Sequence, residues 1–74
     1  MKPFFTHAVG EFLLEVFYED EHHRFRLNMW RRGECQMVQY IPATYEPLFG
    51  IDVADMDAIN DEAEVMCRQL EAQP

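Results

Sequence analysis

The chain has 74 residues and a formal net charge of −8, from 14 acidic and six basic side chains, and 49% of its residues are hydrophobic. That length implies one small domain over residues 1–74, too apolar for a disordered tail and too acidic to favour nucleic acid or anionic membrane as a partner. The apolar runs fall far short of the roughly 20 residues that span a bilayer, and residues 1–5 lack a signal peptide's apolar stretch, so the expected compartment is the cytoplasm.

In chain order, Phe4, Phe5, Ala8 and Val9 read either as a strand of their own or as a lead into the next one, with Gly10 as a bulge. Residues 11–19 alternate, placing Phe12, Leu14, Val16 and Tyr18 on one face. Residues 24–31 alternate more cleanly, with Phe25, Leu27 and Met29 on one side and Arg24, Arg26, Asn28 and Trp30 on the other. The polar residues 20–23 between them predict a hairpin in which Tyr18 faces Phe25, Val16 faces Leu27 and Leu14 faces Met29. Arg32-Gly33 predicts a second tight turn, because glycine supplies the positive φ it needs. With a two-residue loop there, residues 34–41 return with Val38 opposite Leu27 and Tyr40 opposite Phe25.

Pro42 ends that strand. Residues 43–50 read as a connector with room for one helical turn, its Tyr45, Leu48 and Phe49 closing one end of the core. A helix follows, with Asp52 as N-cap, Asp55 as a weak capping-box partner and Ile51 and Met56 as a hydrophobic staple. Its apolar stripe is Met56, Ile59, Ala63, Met66 and Leu70, widened by Val53 and Cys67; the opposite stripe is Asp57, Asp61, Glu64, Arg68 and Glu71. The expected architecture is α+β and two-layered: a three- or four-stranded antiparallel β-meander covered on one face by a C-terminal α-helix.

Little in the sequence carries catalysis. It contains no serine, and its one lysine is Lys2, so Ser-His-Asp chemistry and a lysine-based phosphate loop are excluded. Cys35 and Cys67 read as free thiols at or near the core. Residues 19–23, with His22 and His23, lack the separated ligands of a metal site, and His7 adds no partner; no metal or cofactor is implied. The chain therefore reads as non-enzymatic.

Recognition remains, on two surfaces. Residues 51–74 carry seven acids against Arg68 alone, so most of the net charge lies on and around the helix. A solvated face explains such a run first; docking of Asp57, Asp61, Glu64 and Glu71 on a basic partner explains it second. The second surface is the sheet face away from the helix, where Leu13 lies opposite Trp30, Phe17 opposite Arg26, Glu19 opposite Arg24 and Met37 opposite Asn28. Leu13, Phe17, Arg24, Arg26, Trp30 and Met37 together have the aromatic, Met and Arg composition of a contact core. Cover by Phe4 and Phe5 is the alternative to partner binding there.

The small size, the acidity and the strand-strand-strand-helix order resemble those of phage-encoded anti-CRISPR inhibitors. That resemblance implies a protein that docks on a basic, nucleic-acid-binding surface of a larger protein, such as a CRISPR effector subunit in the host bacterial cytoplasm, with carboxylates standing in for phosphates. It transfers no residue by position. The other reading is a homodimeric structural or assembly subunit joined through the sheet face around Trp30, the chain otherwise being a monomer.

Overall fold

A computed structural model describes residues 2–73. Strands β1 (Phe5–Val9), β2 (Phe12–Glu19), β3 (Arg24–Arg31) and β4 (Glu34–Pro42) form a four-stranded antiparallel meander in chain order. Strands β5 (Thr44–Glu46) and β6 (Ile51–Val53) make a separate two-stranded hairpin, and helix α1 (Met56–Glu71) follows. The fold is thus the expected small α+β arrangement, with the N-terminal segment forming the fourth strand.

The β2–β3 register is the one the alternation predicts: Tyr18 pairs with Phe25, Val16 with Leu27 and Leu14 with Met29. These residues face α1, which lies over β3 and β4 and buries Ile59, Ala63, Met66, Cys67 and Leu70 against them. Leu14, Leu27, Met29, Ile59 and Met66 are almost fully enclosed. Each contributes about 1.5–3 kcal/mol of burial, and none can be polar without an unpaired group in the core.

Several expectations are corrected. The turn at Arg32-Gly33 is a two-residue loop as predicted, with both residues at positive φ, 55° and 78°. Beyond it, however, a bulge between Met29 and Trp30 of the β3 register inserts an extra residue at Gln36, so Met29 pairs with Met37 and Asn28 with Val38. Because side chains alternate, this one-residue slip turns β4 over. Met37 and Ile41 pack on the helix-side core, and Val38 and Tyr40 pass to the other face. Met37 therefore does not belong to the outer sheet face.

Residues 43–50 hold the one expected turn, at 46–50, where the Glu46 carbonyl accepts from Phe49 N and Gly50 N. That turn joins β5 and β6, which pair directly, with Tyr45 opposite Asp52. Glu46 closes the turn: its carbonyl accepts from Gly50 N at 2.9 Å, its side chain accepts from Leu48 N at 3.1 Å, and Gly50 takes φ 65°. Tyr45, Leu48 and Phe49 point to solvent rather than closing the core. The helix consequently starts later than expected. Asp55 is its N-cap, accepting from Ala58 N at 3.1 Å, while Asp52 sits in β6 and Ile51 and Met56 are both exposed, which leaves no staple.

Finally, Cys67 is buried but Cys35 is exposed, and both are free. No helix among the described residues is long and apolar enough to cross a membrane.

Candidate interaction surfaces

The outer sheet face has no second layer among the described residues. Phe5 packs on the helix-side core and Phe4 stacks on Phe25 with ring centroids 5.3 Å apart, so the N-terminal segment covers the other side. The face keeps the predicted pairs Leu13–Trp30, Phe17–Arg26 and Glu19–Arg24. Val38 and Tyr40 replace Met37; sequence reasoning missed them because residues 37–41 place apolar side chains on both faces, and only the bulge decides which parity faces the core.

Interlocking contacts run across this face. The Arg26 guanidinium lies 4.8 Å from the Phe17 ring centroid, and Phe17 is only 8% exposed. Arg24 stacks on Tyr40 at 3.9 Å. Glu19 joins the two arginines, accepting from Arg24 Nε at 2.6 Å and from an Arg26 terminal nitrogen at 3.4 Å. The Arg24 hydrogen bond, aided by both positive charges against some desolvation, holds the Glu19 carboxyl below its ordinary range. The arginine side chains are thereby held flat against the sheet, where their apolar stems extend its contact surface.

Along the middle of β3, three polar atoms are shut from solvent without a hydrogen-bond partner among the described residues: Arg26 Nε, Asn28 Oδ1 and Trp30 Nε1. All three belong to the outer face. Such a group left unpaired costs about 1–3 kcal/mol. Leu13, Val38 and Tyr40 around the row are 40%, 41% and 47% exposed.

The second surface is acidic. Asp57, Asp61, Glu64 and Glu71 are all exposed on α1, over about 21 Å of helix at 1.5 Å per residue. Glu64 accepts a hydrogen bond from Arg68, the i,i+4 pair expected from their spacing. The β5–β6 arm leads straight into this helix and shares its sign, for residues 33–67 contain no lysine or arginine. Its tip is apolar: Leu48 is 87% exposed and Phe49 75%, with Tyr45 and Ile51 also exposed. Sequence reasoning took these side chains for core because hydrophobicity alone does not separate a plug from an anchor.

A polar cluster ties the arm to the sheet. Tyr18 Oη donates to Asp52 Oδ2 at 2.5 Å, and His23 Nδ1 lies 2.8 Å from the same oxygen. The Tyr18 bond, then that from His23, keeps the Asp52 carboxyl below its ordinary range, and the Tyr18 phenol is pushed up to about 12. His22 takes no part in this cluster, and His23 serves as an anchor of the arm.

Comparison with protein family models, curated proteins and solved structures gave no match for this chain.

Proposed function

We propose that this chain is a non-enzymatic protein-binding module that docks on a basic surface of a larger protein and blocks it. The observation that carries the reading is the junction of an apolar arm with an acidic helix along residues 33–67, which contain no lysine or arginine, the helix's one cation being Arg68, paired with Glu64. Carboxylates at Asp57, Asp61, Glu64 and Glu71 steer the chain to positive charge, which accelerates association more than it adds affinity. Leu48, Phe49 and Tyr45 then supply the buried apolar anchor on which most interface energy rests. A surface that normally holds nucleic acid, as in a CRISPR effector subunit, meets that description, with the helix carboxylates in the place of phosphates.

The test is affinity capture from a bacterial lysate with quantitative mass spectrometry. It compares the native chain with the four-fold variant Asp57→Asn, Asp61→Asn, Glu64→Gln and Glu71→Gln at low and high salt. A basic protein should be retained by the native chain at low salt and lost both in high salt and with the variant. Retention that ignores the helix charge would overturn the reading.

A further inference from the structure

We infer that the outer sheet face is a two-fold interface that takes a second copy of this chain, β2 of each copy lying over β3 of the other. The argument begins with charge. A chain of net charge −8 resists self-association everywhere except where its charges balance, and this face balances Arg24 and Arg26 against Glu15 and Glu19. The acidic helices point away from it on the opposite side of each sheet.

The pairing within one chain makes the face self-complementary. Along β2 and β3, Leu13 stands level with Trp30, Glu15 with Asn28, Phe17 with Arg26 and Glu19 with Arg24. A two-fold axis lying between two packed sheets, parallel to the strands and midway between β2 and β3, sets each residue over its own partner type in the other copy. Trp30 then covers Leu13, the Asn28 amide meets Glu15, and Arg26, already on one Phe17 ring, receives a second. Arg24 faces Glu19. Unlike residues meet at every level, whereas an axis centred on β3 itself would stack Arg26 on Arg26.

The same arrangement puts Arg26, Asn28 and Trp30, whose Nε, Oδ1 and Nε1 atoms are already shut from solvent within one copy, at the middle of the contact. Four strands about 4.8 Å apart and five to nine residues long present roughly 500 Å² per copy, near 1,000 Å² in total, the lower end of specific interfaces. An interface of that size suits a weak dimer whose population depends on concentration.

Sedimentation velocity from about 1 to 500 µM, read together with the emission of Trp30, the one tryptophan, tests this. The 8.8 kDa chain should approach twice its mass with a parallel blue shift in emission, and added salt should tighten the dimer by screening like charges. Partner docking through the acidic helix has the opposite salt dependence, so the two readings fail separately. Leu13→Asp, which sets a charge against Trp30 of the second copy, should weaken the dimer by about 30-fold or more, while Leu48→Ser with Phe49→Ser should leave it unchanged. A constant monomer mass with unshifted emission would overturn the inference, as would a dimer indifferent to Leu13→Asp. Should Leu13→Asp lose its circular dichroism, the native chain decides: a mass increase without a change in Trp30 emission places the interface elsewhere and refutes the proposal.

Discussion

Tyr18 and Asp52, separated by 34 positions in sequence, are joined by a 2.5 Å hydrogen bond from phenol to carboxylate. It fastens the β5–β6 arm to the side of the sheet, with His23 on the same oxygen. Few other contacts hold the arm, so its position depends on two titrating groups.

The stability of the fold should therefore decline at both ends of the pH scale. The Tyr18 phenol is pushed up to about 12 from an ordinary 10.0 by its bond to Asp52. Between those values the unfolded chain has released a proton that the native chain retains, so stability falls as pH rises through the window. Asp52 and Glu19 are held below their ordinary values, so below about pH 4 the unfolded chain binds more protons and stability falls again as pH drops. Burial pushes the Cys67 thiol above 9.0 and adds to the alkaline loss. Thermal midpoints against pH for the native chain and Tyr18→Phe isolate the tyrosine: the variant should lose the part of the decline between pH 10 and 12.

Acidic residues of the helix divide into a structural one and free ones. Asp55→Ala removes the hydrogen bond to Ala58 N and should cost about 1 kcal/mol in urea unfolding. Asp57→Asn, Asp61→Asn and Glu71→Gln, which make no side-chain bond among the described residues, should each stay within about 0.5 kcal/mol.

Arg32 sits at φ 55° in a two-residue turn with Gly33 at 78°, the pattern that Asn-Gly fits better. Arg32→Asn should raise stability by up to about 1 kcal/mol, and Gly33→Ala should lower it, both measured by urea midpoint at unchanged slope.

Met66→Ala should cost about 2–5 kcal/mol, because Met66 is wholly enclosed between α1 and the sheet and its loss leaves a cavity. In a domain of this size that approaches the entire stability, so the variant should be largely unfolded by circular dichroism.

The alternating strands β2 and β3 were legible to the residue, since in each one parity is apolar, Arg31 at the end of β3 excepted, while the other charges, Glu15 and Glu19 on β2 and Arg24 and Arg26 on β3, all fall on the opposite parity. Strand β4 was not, because Met37, Val38, Tyr40 and Ile41 satisfy either parity and the bulge at Gln36 leaves no signature in composition. Asp52 misled for a related reason: an Asp ahead of an apolar stripe reads as a helix cap, yet its carboxylate is claimed by Tyr18 and His23, contacts too distant in sequence to see. The acidic stripe of α1 and the Trp30 side of the sheet followed from periodicity alone. The arm did not, because three-residue strands are too short for a period to show.

The absence of lysine and arginine between Gly33 and Cys67 also makes the arm invisible to trypsin, which leaves residues 33–68 as one peptide. Chymotrypsin, cutting after bulky apolar side chains, meets Leu48 and Phe49 at an open hairpin tip. Brief digestion of the folded chain with each enzyme should thus nick the molecule at the arm in one case and spare it in the other, and whatever shields Phe49 from chymotrypsin reports directly on occupancy of the arm.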